Sequence, residues 1–159
     1  MRKILFSIIL VIGLTTAASA QDYNTGLGLR GGNGWGVTLK HFVSQKNAFE
    51  GFFYGYNYNG LSGFNVTGLY QFHNRAFDVD NLRWYYGFGA HIGSYNYDNH
   101  SYKNKNNFIL GFDGILGIEY TFTEAPINIG LDWNPHINLT GYTDSFMPGF
   151  GAISIRYTF

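Results

Sequence analysis

The chain has 159 residues, with 10 basic and 10 acidic side chains and no cysteine. That balance gives no electrostatic reason for a nucleic-acid partner, and a chain without Cys gets no help from disulfides. Aromatic residues make up 19% of the chain and Gly 22 residues, against 13% charged, which suits strands that meet a nonpolar medium on one side.

The N-terminal stretch "MRKILFSIILVIGLTTAASAQD" has the three parts of a secretory signal: basic Arg2 and Lys3, an apolar run from Ile4 to Leu14, and a small-residue site at Ala18-Ser19-Ala20. The apolar run is shorter than the ~20 residues a spanning helix needs. The expected division is a signal peptide over 1–20 and one domain over 21–159. Removing Arg2 and Lys3 leaves 8 basic and 10 acidic residues in the mature part.

Beyond residue 20, period-two alternation recurs between short polar clusters. It predicts strands over 23–31, 34–42, 47–58, 63–73, 82–97, 107–122, 126–140 and 149–159. About eight strands, an even number, fit a closed up-and-down barrel, so the expected class is all-β, an eight-stranded antiparallel up-and-down transmembrane β-barrel.

The faces separate strand by strand. In the sixth, Phe108, Leu110, Phe112, Leu116, Ile118, Tyr120 and Phe122 alternate with Ile109, Gly111, Asp113, Ile115, Gly117, Glu119 and Thr121. The fifth and seventh strands sort the same way. Trp84, Tyr86, Tyr120, Phe122, Tyr157 and Phe159 fall near one rim, and Trp35, Phe64, Phe108 and Phe150 near the other, like two aromatic girdles at membrane interfaces. The polar face is rich in Gly, Asn and Thr, which suits a narrow crowded interior.

The residues of interest are those expected to point inward: Arg30, Lys40, Glu50, Arg83, His91, Asp113, Glu119, Asp132 and Arg156. Each charge needs a partner or trapped water in so narrow a space. Hairpin spacing sets Lys40 across from Glu50, Arg83 across from Glu119, His91 within one register step of Asp113, and Asp132 across from Arg156 through a turn centred at Asp144. Arg30 is left to find a neighbour across the closure.

Two motifs tempt a different reading. "GLGLRG", Gly26 to Gly31, matches G-x-G-x-x-G but lacks the helix that a dinucleotide site requires. "PHINLTGY" invites comparison with outer-membrane lipid A deacylases of the PagL type, whose barrels carry a short H-x-S stretch. Here Asn138 stands where Ser is needed and His136 is expected to face inward, so no nucleophile is left at that spot; Ser145 and Ser154 lie elsewhere, with nothing in the sequence to place a base beside either. The five His residues have no metal-ligand spacing. No enzyme activity, cofactor or metal is expected.

The signal peptide, strand count, aromatic rims and terminal "ISIRYTF" resemble the small OmpA/OmpX-type outer-membrane barrels of Gram-negative bacteria. The resemblance is architectural and covers the whole mature chain. It implies that Tyr157 and Phe159 form the C-terminal signal read by the outer-membrane assembly machinery. It also implies periplasmic chaperones, outer-membrane lipid and lipopolysaccharide as partners. The resulting expectation is a monomeric cell-envelope protein in the bacterial outer membrane, porin-like in build, with a filled, charge-paired interior and a structural or surface-interaction role. The alternatives are a narrow passive channel, a lipid A-modifying outer-membrane enzyme and a soluble exported barrel that binds an apolar ligand.

Overall fold

The structure, a computed structural model, describes residues 23–32, 34–58, 61–97, 107–140, 146–149 and 151–159. The expected signal peptide over 1–20, the rim residue Phe150 and most of the fifth-to-sixth connection lie outside the described residues. Ten strand segments follow one another: β1 (Thr25–Gly31), β2 (Trp35–Phe42), β3 (Asn47–Tyr58), β4 (Leu61–Arg75), β5 (Leu82–Tyr97), β6 (Asn107–Thr121), β7 (Ile127–Trp133), β8 (His136–Asn138), β9 (Phe146–Met147) and β10 (Gly151–Thr158).

Every neighbouring pair is antiparallel, and β1 pairs with β10 as well as with β2. Because β5 also pairs with β6, the sheet has no free ends. Segments β7 and β8 form one strand broken at Asn134 and Pro135, and β9 and β10 another, so the wall is a closed eight-stranded antiparallel barrel. The expected fold class is thus borne out for the closed all-β barrel. The terminal residue takes part in closure. Phe159 N–H donates to Thr25 O at 2.9 Å and Thr25 N–H donates to Phe159 O at 2.9 Å. A strand that would otherwise present an open edge is thereby paired.

The break in the seventh strand has a local cause. Pro135 has no N–H for the ladder, and the Asn134 side chain instead donates to Gly114 O at 2.7 Å. Opposite the break, Pro148 O accepts from the Trp133 indole N–H at 2.5 Å, and Gly149 has φ of +71°. A side chain at 149 would meet Asn134 O at 2.1 Å, so only Gly fits this bulge.

The alternation puts apolar side chains outside and polar ones inside. Leu29, Phe53, Phe88, Phe112, Leu131, Ile153 and Ile155 are exposed around the wall, with Trp35 80% exposed near one rim. Inside, the buried apolar residues are few; Phe52, Leu69, Tyr85 and Ile115 make one cluster. The rest of the buried interior is polar or charged, including Lys40, Glu50, Gln71, His73 and Arg156. This inverts the usual soluble arrangement.

Candidate functional site

The lumen is the candidate site, because it gathers the charged residues that a barrel wall would otherwise exclude. Its hub is Glu50 on β3. The Thr38 hydroxyl donates to Oε1 at 2.6 Å, Gln71 Nε2 donates to Oε2 at 2.6 Å, the Arg156 guanidinium reaches Oε1, and Lys40 Nζ lies 3.4 Å from Oε2. An ionised carboxylate offers about four acceptor positions, and these four partners match them. That satisfaction is what makes a fully buried carboxylate tolerable.

Lys40 on β2 is shared. Its Nζ donates to Glu119 Oε2 at 2.8 Å and sits 4.1 Å from the centre of the Tyr85 ring. The ring face adds a cation–π attraction in a site without water screening. Arg156 on β10 also donates to Asn128 Oδ1 at 2.9 Å and lies 3.9 Å from Glu119. Two strands, β1 and β2, lie between β10 and β3 along the wall, so Arg156 and Glu50 are not ladder neighbours. The contact runs across the lumen.

A second group lies along β1, β7 and β10. Arg30 forks onto Asp132, donating to Oδ2 at 2.6 Å and Oδ1 at 2.5 Å, and also donates to Ser154 Oγ at 3.2 Å. This bidentate geometry is the strongest form of the pair. The Tyr85 hydroxyl donates to Asp132 Oδ2 at 3.1 Å, and the Phe52 ring lies under Arg30 with 4.4 Å to its centre. A third group joins β5, β6 and β8: His91 Nδ1 is 2.6 Å from Asp113 Oδ2, and its Nε2 is 3.1 Å from Asn138 Oδ1. His136 faces the same space, its ring 5.3 Å from that of His91.

The nine inward candidates therefore fall in three groups and one mouth. Lys40 and Glu50 stand directly opposite in the ladder, as do Arg83 and Glu119. The expected Asp132–Arg156 pair is overturned. Asp132 stands opposite Ala152, and Arg156 opposite Asn128. The register along β10 lies four residues from the expected one, and the pairing of β8 with β9 shows that this offset is already set beyond the break at Pro135 and Gly149. Arg30 takes Asp132, and Arg156 crosses to Glu50. Sequence reasoning did not single out Thr38, Gln71, His73 or Asn128. Thr67, Leu69, Gln71 and His73 alternate with Val66, Tyr70 and Phe72, so strict parity along the fourth strand was the available signal.

Around the middle of the barrel, Arg156, Tyr85, Lys40, Gln71, Glu50 and Glu119 are buried almost completely. A cavity of about 60 Å³ opens beside Arg30, Tyr54, Asn134 and His136, and a basin of about 510 Å³ opens beside Lys46, His73, Arg75 and Arg83. No lining residue is common to the two. Among the described residues no group of three His, Cys, Asp or Glu side chains is placed to hold a metal ion. Ser154 is engaged by Arg30; Ser145 lies outside the described residues.

A closed eight-stranded antiparallel barrel with an apolar exterior and a lumen packed with paired charges is the class this geometry defines. No family model and no curated protein sequence matches the chain. Among solved structures it is similar to the crystal structure of the N-terminal β-barrel domain of Pseudomonas aeruginosa OprF, with a TM-score of 0.69, 14% identity, and coverage of 87% of this chain and 100% of that one. The fold is thus that of the OprF/OmpA-type barrels. At that identity the likeness speaks to fold alone.

Proposed function

We propose that the protein is an outer-membrane β-barrel whose role is structural or surface-interactive rather than catalytic. The observation that carries this reading is the pairing of an apolar exterior with a lumen whose middle is filled by buried ion pairs. Immersed in water, each outward Leu, Ile or Phe would forgo about 1.5–3 kcal/mol of burial, whereas lipid removes that penalty. Closure of β1 onto β10 leaves no unpaired edge, the condition for strands to cross hydrocarbon. Likeness to the OprF barrel domain supports the same placement. In this reading 1–20 directs export, and Tyr157 and Phe159 at the end of the closing strand are the surface offered to the assembly machinery and its periplasmic chaperones. The folded monomer then sits among lipid and lipopolysaccharide.

A narrow passive channel is the second reading. It is favoured by one observation: Lys40 lies between two carboxylates, 2.8 Å from Glu119 and 3.4 Å from Glu50. A change of partner would open space beside it. Planar-bilayer recording of the purified full chain separates the two readings. A filled lumen predicts no steady conductance above the bare bilayer. A steady ohmic conductance, lost when Lys40 is replaced by Met, would establish the channel instead.

A further inference from the structure

Two histidines and an asparagine meet on the inner wall where β5, β6 and β8 run side by side. His91 of β5 and Asn138 of β8 both stand opposite Gly111 of β6, one on each side. A Cβ at 111 would sit 2.3 Å from His91 Cε1 and 2.7 Å from Nε2, so the missing side chain is what lets the imidazole lean across β6. It reaches Asn138, with 3.1 Å between Nε2 and Oδ1. His136, earlier on β8 and opposite Asp113, brings its ring centre to 5.3 Å from that of His91, nearly perpendicular to it.

Each imidazole is held from behind by one nitrogen. His91 Nδ1 lies 2.6 Å from Asp113 Oδ2, and the His136 ring hydrogen-bonds to the Asn134 backbone carbonyl. A tie to a carboxylate or a carbonyl is the outer support of metal-bound histidines: it fixes the tautomer, orients the ring and turns the far nitrogen toward the ion. The distances suit that use. With bonds of ~2.0–2.1 Å, neighbouring ligand atoms of a tetrahedral ion stand ~3.3 Å apart and neighbouring imidazole centres ~5 Å apart, against 3.1 Å and 5.3 Å here. Asp113 supplies a negative charge behind His91, while Arg30, which lines the cavity beside His136, is already neutralised by Asp132. His91 is buried, and His136 borders the cavity of about 60 Å³, which is room for a water beside an ion.

We propose that His91, His136 and Asn138 bind a divalent transition metal of the zinc, nickel and copper group, with Asp113 and Asn134 positioning the imidazoles. Imidazole favours these ions over magnesium or calcium. Asp113 stands behind the His91 ring rather than at the ion, so the ligands are two imidazoles and an amide oxygen, not three His or acidic groups. Solvent takes the fourth corner, as in open zinc sites. On binding, the proton between His91 Nε2 and Asn138 passes to solvent, and the amide oxygen changes from hydrogen-bond partner to ligand. The ion ties β5 to β8 across β6. The site needs only the folded barrel and does not rest on the outer-membrane reading.

The test is titration of Co2+, a visible stand-in for zinc, into the full chain folded in a sugar-based detergent, followed by absorbance and repeated with Zn2+ by calorimetry. Saturable binding with the visible bands of a tetrahedral cobalt site is expected. Asp113→Asn should weaken it about 10–100-fold, as loss of an outer support does, while leaving the bands in place because the ligand atoms are unchanged. His136→Gln, which removes a ligand, should weaken binding at least as much and shift the bands. His136 is only half-buried, so this variant keeps its folded, heat-sensitive gel band; Asn138→Ala decides the matter if it does not. An Asp113→Asn protein that binds as the parent does removes Asp113 from the site. No saturation, or binding unchanged in the folded His136→Gln or Asn138→Ala protein and so due to another histidine such as His41, overturns the proposal.

Discussion

Arg156→Met is expected to lower the unfolding free energy by about 3–5 kcal/mol, as breaking one side of a buried ion pair does. The guanidinium it removes contacts Glu50 and Asn128 and lies 3.9 Å from Glu119. Glu50 keeps Thr38, Gln71 and Lys40, yet two carboxylates must then share the single ammonium of Lys40. The penalty comes from a stranded charge more than from the lost contact. Glu50→Gln combined with Arg156→Met should therefore recover a large part of the loss. Urea titration in lipid vesicles, followed by tryptophan fluorescence, reads both. A loss near zero for Arg156→Met would mean that the arginine does not cross the lumen.

Gly28→Ala is expected to prevent closure of the barrel. A Cβ at that position would sit 1.9 Å from Ile155 O and 2.6 Å from Arg156 Cα, both backbone atoms of β10. Ordinary overpacking costs about 1–3 kcal/mol because side chains move aside. Backbone in the closing ladder has no such freedom. The penalty should exceed that range, and the refolded protein should give little or no compact species on an unboiled gel. Gly68→Ala is the control: nothing lies within 4 Å of the Cβ it adds, and its folding should stay close to that of the parent. Equal behaviour of the two variants would contradict the β1–β10 seam.

How much of this was legible beforehand varies with the kind of contact. Strand positions were, because alternation is local: β3 and β5 run over the expected residues, 47–58 and 82–97. Faces were too, since a strand buried on one side and greasy on the other admits one register. Ladder neighbours held wherever a hairpin is free of bulges, as for Lys40 with Glu50 and Arg83 with Glu119. They failed at the last hairpin, whose pairing lies four residues from the expected register along β10 because nothing in the polar cluster between the strands marks the centre of the turn. Partners across the lumen were not legible at all. Arg156 with Glu50, Lys40 with Glu119 and Arg30 with Asp132 join strands that are not ladder neighbours. Their meeting depends on strand tilt and side-chain length, and hairpin spacing reports neither. His73 was missed for a different reason: it lies near the end of its strand, where the pattern is shortest.

The central claim is that the greasy wall faces lipid while the paired charges fill the inside. Electrophoresis of the outer-membrane fraction of producing cells, boiled and unboiled, tests it most directly. The protein is expected in that fraction and should change mobility on heating, as a closed barrel resisting detergent does. A soluble periplasmic protein whose mobility is the same before and after boiling would contradict it.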